Sequence, residues 1–236
     1  MKRLLTGFFM LTAINVLAQK DISLEFQADI FSRHYWRGFV FGNTPAIEPQ
    51  ITLSAGRFSL NLWAAQTINE TYSEIDLIPS YSLGNFEISF LDYYNPVQDE
   101  TNRFFDFSRT MNRHSGELML TYNGEGKFPL SLMAATFLYG DRHLDTDKHM
   151  FSTYVQAGLP FSLAGSDAEL SVGLSPWESF YSEQFAVVHA GLSVSDQIKA
   201  GEGVTLPYSL SLFANPSTAE AWVIFSFGFN RIRNRN

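Results

Sequence analysis

Apolar and polar residues alternate with a period of two along about twelve segments of the chain, each of roughly ten residues. The first segment reads Ile22, Ser23, Leu24, Glu25, Phe26. A β-strand turns successive side chains to opposite faces, and a tilted strand of about nine to eleven residues crosses a bilayer. The repeated pattern therefore predicts an all-β fold, a transmembrane antiparallel up-and-down β-barrel of about twelve strands, with ten or fourteen as alternatives.

The composition of the polar face indicates which side of the predicted sheet faces lipid. A soluble β-sandwich would also alternate, with its apolar face inward, and would normally carry about 25–35% charged residues on its surface. Here charged residues are only 17% of the chain, and the polar face is mostly Ser, Ala, Gly, Thr, Asn and Gln. The 22 Phe, 10 Tyr and 4 Trp would supply aromatic girdles at two membrane interfaces. The apolar face is therefore expected to contact lipid.

The first residues resemble a secretory signal. Lys2 and Arg3 precede an apolar run over residues 4–16, and Ala18 ends a small-residue cleavage pattern. We predict a signal peptide over 1–18 and one outer-membrane β-barrel domain over 19–236. The expected location is the cell outer membrane of a Gram-negative bacterium.

The predicted connections alternate between short and long. The short ones cover 56–57, 84–85, 123–127, 163–167 and 196–203, and the long ones cover 33–46, 95–113, 139–150 and 176–184. In bacterial barrels the turns on the periplasmic side are short and the loops on the outer side are long. The sequence leaves open whether the loop 95–113 folds inward as a plug.

Composition also limits the partners and the chemistry. The formal net charge of −8 argues against nucleic-acid binding. The chain has no cysteine, which removes thiolate metal sites and cysteine nucleophiles. We expect no metal site and no cofactor. The expected partners are outer-membrane lipid and lipopolysaccharide, small solutes, periplasmic chaperones and the barrel-assembly machinery.

The densest cluster of candidate residues lies in 32–38, near the outer mouth. If the first strand continues through this segment, the alternation of its side chains, here called strand parity, puts Arg33, Tyr35 and Arg37 on the lumen side. The same alternation puts Glu48 on the lumen side of the adjoining strand. An arginine facing a carboxylate across the lumen is either a solute-selecting pair or a structural brace. The other lumen and selectivity candidates are Trp63, Asp76 and Glu117.

Several motifs in the first hundred residues resemble one porin family. They are Ser-Arg-x-Tyr-Trp-Arg-Gly at 32–38, Pro-Ala-Ile-Glu-Pro at 45–49, Leu62-Trp63, Glu-Ile-Asp-Leu at 74–77 and Asp-Tyr-Tyr-Asn-Pro at 92–96. Together they are similar to the outer-membrane porin family called TorF. The resemblance implies a small porin-type barrel and carries no substrate with it.

A barrel of about twelve strands encloses a narrow lumen. The aromatic residues predicted to narrow it further are Trp63, Phe137, Tyr154, Phe213 and Trp222. The acidic residues on the same face are Glu25, Asp29, Glu48, Glu74, Asp76, Glu87, Glu117 and Glu169. The sequence thus predicts a narrow porin-like channel for small solutes with a mild cation preference.

Two other classes of function remain open, a barrel enzyme acting on outer-leaflet lipid and a structural or adhesion barrel. Parity places Ser32 and His34 together on the lipid side, but no acidic residue stands beside them to complete a catalytic set. His189 is expected to be a hydrogen-bonded interior histidine. We therefore predict no enzymatic activity.

Overall fold

The computed structural model describes residues 22–108, 113–124, 126, 128–143 and 146–235. For residues 234 and 235 the description covers the backbone alone. The predicted signal peptide, residues 1–18, lies outside the described residues and stays a prediction. Within these ranges the chain consists of strands and their connections, and no helix is long and apolar enough to cross a membrane.

Fourteen strands follow one another along the described chain. They are β1 (Ile22–Phe31), β2 (His34–Trp36), β3 (Phe39–Phe41), β4 (Ala46–Ala55), β5 (Phe58–Thr67), β6 (Ser73–Leu83), β7 (Phe86–Tyr94), β8 (His114–Tyr122), β9 (Ser131–Tyr139), β10 (Thr153–Leu163), β11 (Ser166–Ser175), β12 (Ala186–Gly201), β13 (Val204–Asn215) and β14 (Glu220–Arg235).

Twelve of these strands close into one barrel. Each strand from β4 to β14 pairs antiparallel with the next, and β1 pairs with both β14 and β4. Ile30, for example, lies opposite Phe227 on one side and Ile47 on the other. Closure leaves the barrel wall without a free strand edge, which is the condition for a sheet to span lipid. The predicted fold class and strand number are confirmed.

The two faces of the barrel wall differ sharply in exposure. Apolar side chains such as Leu62, Leu120 and Leu210 point outward and are 48%, 47% and 53% exposed. Polar side chains one position away along the strand, such as Ser211, face inward and are buried. A continuous apolar belt of this size would be unstable in water but is stable against lipid acyl chains. The chain is therefore an outer-membrane β-barrel.

Two of the predicted boundaries are wrong. The strand expected to begin at Phe128 begins at Ser131, two residues after Pro129, which has no N–H to donate to a ladder. The connection expected over 196–203 is mostly strand, because β12 and β13 stay paired from Ala190 as far as Gly201. These two strands form a long hairpin at the end of the barrel that carries the short turns.

The remaining two strands do not belong to the barrel wall. After β1 ends at Phe31, the chain bends at Ser32 and Arg33, and β2 and β3 pair only with each other. Arg37 and Gly38 join them with φ angles of 46° and 97°, the backbone of a type I′ hairpin turn. We call residues 34–41 the inner hairpin.

Candidate functional site in the lumen

The inner hairpin is held inside the barrel by a buried ion pair at its tip. Arg37 Nη1 donates to Glu117 Oε1 at 2.6 Å and Nη2 donates to Oε2 at 2.9 Å. Glu117 stands on β8 and is fully buried, while Arg37 is 9% exposed. A bidentate pair of this kind fixes both the position and the orientation of the guanidinium.

Neighbouring side chains complete the polar contacts of this pair. Tyr93 donates its hydroxyl proton to Glu117 Oε2 at 2.7 Å, and Arg37 Nη1 also donates to the Tyr181 hydroxyl at 2.8 Å. The guanidinium lies over the rings of Trp36 and Tyr154, with its carbon 4.7 Å and 5.0 Å from the ring centroids. These cation–π contacts and hydrogen bonds offset much of the cost of removing the charge from water.

A second anchor holds the first residue of β2. His34 Nδ1 lies 2.9 Å from Glu48 Oε1, and Nε2 lies 3.9 Å from Glu74 Oε2. The imidazole stacks on Tyr72 with centroids 5.1 Å apart, and its centroid is 5.7 Å from that of Trp63. The prediction that an arginine faces Glu48 is therefore wrong, because His34 occupies that position and Arg37 reaches Glu117 instead.

A third anchor lies on the opposite wall. Tyr35 stacks on Phe213 with centroids 4.3 Å apart, and its hydroxyl oxygen lies 2.6 Å from His189 Nδ1. His189 Nε2 lies 2.7 Å from the Ser171 hydroxyl, so this histidine is hydrogen-bonded in the interior as predicted. The backbone at the tip is also fitted to this wall, since Asn215 Nδ2 donates to the Gly38 carbonyl at 3.1 Å.

Glycine is required at the tip for two reasons. Its φ of 97° lies in the left-handed region, and a Cβ built at Gly38 would collide with the carbonyl oxygen of Val188 on β12. The turn therefore approaches the barrel wall more closely than any other residue type allows. Together the three anchors place the inner hairpin across the lumen.

Six of the seven candidates from the sequence lie in the barrel interior. Their burial and contacts place Tyr35, Arg37, Glu48, Trp63, Asp76 and Glu117 there. Asp76 is 4% exposed, and its Oδ1 has no hydrogen-bond partner in the described part of the chain. Arg33 is half-buried where the chain enters the inner hairpin.

The placement of His34 on the lipid side is wrong, whereas Ser32 lies beside the lipid-facing Phe225, whose backbone N–H donates to its hydroxyl oxygen. Parity assumed that β1 continues past Phe31, but the chain turns inward there and His34 is buried in the lumen. Its pairing with Glu48 could not be found by parity. The Arg-Gly pair at 37–38 was the available signal for a hairpin, although it is weaker than Asn-Gly or Asp-Gly.

The lumen between the inner hairpin and the short turns is polar and lined by small side chains. The hydroxyls of Ser80 and Ser89 lie 2.8 Å apart, and those of Ser209 and Ser226 lie 2.6 Å apart. Carboxylates interrupt this lining: Glu87 accepts from Ser82, Glu169 from Ser131 and Glu25 from Asn230. This part of the lumen is lined by groups that water solvates well.

On the other side of the inner hairpin lies a cavity of about 910 Å³. We call it the vestibule. Trp36 and Phe41 of the inner hairpin form part of its lining, and the ends of β5 to β9 with their long loops supply most of the remainder. The vestibule is therefore the space at the outer mouth, in front of the inner hairpin.

The loop after β7 contributes to the vestibule but also covers the outside of the wall. Phe104 packs on Tyr94 and His114 at centroid distances of 4.8 Å and 5.0 Å, and its carbonyl oxygen lies 2.6 Å from His114 Nε2. His114 Nδ1 lies 3.0 Å from Asp92, which pairs in register with the lipid-facing Leu77. In the described part of the chain the lumen is thus crossed by the inner hairpin, and loop residues 104–107 pack outside it.

No family model matches this chain, and no curated protein matches it. The TorF resemblance therefore stays a prediction. Among solved structures, the chain is similar to an outer-membrane channel from Pseudomonas putida F1. The two share 12% identity with a TM-score of 0.42, and the match covers 90% of this chain and 95% of that chain. It is similar to the CymD monoaromatic hydrocarbon channel (11% identity, 95% and 92% covered, TM-score 0.43) and to the NanC porin (9% identity, 89% and 98% covered, TM-score 0.42).

Proposed function

We propose that this protein is a narrow porin-like channel that passes small solutes across the outer membrane, with a mild preference for cations. The observation that carries the proposal is the hydroxyl-lined lumen between the inner hairpin and the short turns. A channel requires an interior that water and small solutes can occupy, and this lining of hydroxyl groups supplies one. The inner hairpin is the constriction of this channel.

The cation preference follows from the charges that face the lumen. Among the described residues, Glu25, Glu87 and Glu169 accept hydrogen bonds from neutral side chains, so no described partner cancels their negative charge. Arg37 is neutralised by Glu117. A low-dielectric wall focuses the field of such carboxylates into the lumen and raises the local concentration of cations.

The histidine contacts favour a channel over a lipid-cleaving enzyme. Ser171 and His189 are in contact, but Tyr35 occupies the place of the acidic residue that orients a catalytic base. Both side chains are also buried in the lumen wall, away from lipid. The outward-facing pair of Asp92 and His114 is covered by Phe104.

Planar bilayer recordings test this proposal. Reconstituted protein should give discrete conductance steps in KCl. Under a KCl gradient across the bilayer, the sign of the reversal potential should show that K⁺ permeates more readily than Cl⁻. A chloride-selective reversal potential would contradict the lumen charge assignment. If properly folded barrels gave no conductance at all, the channel proposal would fail and the structural or adhesion function would replace it.

A further inference from the structure

The vestibule combines aromatic walls with carboxylates, and none of the described residues that line it is basic. Six aromatic side chains line it: Trp36, Phe41, Tyr72, Tyr93, Phe137 and Phe180. Its volume of about 910 Å³ lies within the range of sites that hold drug-sized ligands.

The hydroxyl groups of the two tyrosines, Tyr72 and Tyr93, donate to carboxylates of the protein itself. Tyr72 donates its hydroxyl proton to Glu74 Oε2 at 2.5 Å, and Tyr93 donates to Glu117 Oε2 at 2.7 Å. Phe41 stacks on Tyr72 with centroids 5.1 Å apart, and Trp36 meets Tyr93 edge to face at 6.0 Å. The rings are thus held rigidly by the barrel wall and the inner hairpin.

Three carboxylates of the described chain line the same cavity: Glu70, Glu74 and Asp141. Asp141 Oδ2 accepts from the Ser152 backbone N–H at 2.8 Å, which leaves Oδ1 without a hydrogen bond in the described part of the chain. Glu74 Oε2 accepts from Tyr72 and lies 3.9 Å from His34 Nε2, so this carboxylate is held in place at the wall of the vestibule. Carboxylates beside ring faces attract a cation and repel an anion.

From this combination we propose that the vestibule binds small organic cations, namely protonated amines attached to an apolar body. The rings take the apolar body and contact the ammonium group through cation–π interactions, and Glu70, Glu74 and Asp141 supply the counter-charge. This inference rests on the proposed channel function, because such a site at the outer mouth would concentrate its solute in front of the constriction.

Three probes of matched size distinguish this ligand class from its alternatives. Isothermal titration of the folded full chain in detergent with phenethylammonium should give saturable binding, at least about tenfold tighter than with 2-phenylethanol. Phenylacetate should give no measurable binding. Equal affinity for the ammonium and the alcohol would overturn the proposal, as would tighter binding of the carboxylate.

Two vestibule variants and two matched controls locate the site. Phe180→Leu removes a half-exposed ring, and Glu70→Gln removes an exposed carboxylate, so neither should disturb the fold. Each should weaken phenethylammonium binding by about three- to tenfold. Phe105→Leu and Glu183→Gln change exposed residues outside the vestibule and should leave affinity unchanged. Unchanged affinity in both vestibule variants would place the binding elsewhere and refute the assignment.

Conductance measured on the same preparation separates this inference from the channel proposal. KCl conductance without phenethylammonium binding would refute the vestibule site and leave the channel intact. Saturable binding that is sensitive to Phe180→Leu, without any conductance, would support the site and refute the channel.

Discussion

Arg37 and Glu117 are 80 positions apart in the chain, yet they form a bidentate ion pair in the interior of the barrel. The pair joins the tip of the inner hairpin to β8 and is shielded from solvent on both sides. Removing one member of a buried pair leaves the other charged group buried without a partner, which costs more than the pair itself contributes.

We therefore expect Arg37→Met to lower the free energy of unfolding by about 3 to 5 kcal/mol, because Glu117 would remain buried and unpaired. Urea unfolding from lipid vesicles, followed by tryptophan fluorescence, measures this change. The double variant Arg37→Met with Glu117→Leu should recover much of the loss. Arg33→Met, at the half-buried entrance of the inner hairpin, should change stability by no more than about 0.5 kcal/mol. Equal losses in Arg33→Met and Arg37→Met would argue against a specific brace.

Gly38→Ala should increase single-channel conductance. Its Cβ would meet the Val188 carbonyl oxygen, and its φ would be strained, so the inner hairpin could no longer lie fully against β12. Gly201→Ala is the matched control, because a Cβ there meets nothing and the backbone is not in the left-handed region. If Gly38→Ala conducts like the unaltered protein while remaining folded, the inner hairpin is not the constriction.

Leu210→Arg should lower the free energy of unfolding in vesicles by about 2 to 4 kcal/mol, because a charge near mid-strand would face acyl chains. Ser211→Ala, at the next position on the lumen face, should cost only about 1 kcal/mol, the contribution of its hydrogen bond to Ser193. Urea titration of both variants under identical lipid conditions makes the comparison. A larger cost for Ser211→Ala would mean that the faces are assigned backwards.

Glu87→Gln combined with Glu169→Gln should reduce the cation preference of the channel, since both carboxylates line the lumen beyond the inner hairpin. The reversal potential should move toward zero, and the difference should shrink between 0.1 M and 1 M salt as the Debye length falls from about 10 Å to about 3 Å. Glu202→Gln makes a single matched change in the exposed β12–β13 turn and should have a smaller effect. An unaltered reversal potential in the double variant would assign selectivity to other groups.

The mature protein should begin at Gln19 and fractionate with outer membranes. Cleavage after Ala18 follows from the charged and apolar segments before it. Mass spectrometry of the purified protein gives the amino terminus, and a closed barrel should migrate differently on a detergent gel before and after boiling. Recovery in the soluble periplasmic fraction would contradict the membrane assignment.

The barrel wall was largely predictable from sequence because its chemistry is local. Each strand places alternate residues against lipid and against the polar lumen. Apolar and polar residues therefore alternate along the sequence with a period of two. The face of Leu210, the face of Glu117 and the number of strands all followed from that alternation. The ends of strands were predicted less well. Pro129 delays the start of β9 to Ser131, and β12 stays paired with β13 as far as Gly201 although its residues no longer alternate there.

The inner hairpin was decided by tertiary structure. Inside a closed barrel both of its faces meet protein, so neither face is marked by lipid and parity carries no information about His34 or Arg37. Their partners, Glu48 and Glu117, became identifiable only when the closed wall brought the carboxylates of β4 and β8 to the inner hairpin. The sequence by itself determined a membrane barrel with a polar acidic interior. Which segment crosses that interior, and which charges it neutralises, depended on long-range packing that no local pattern encodes.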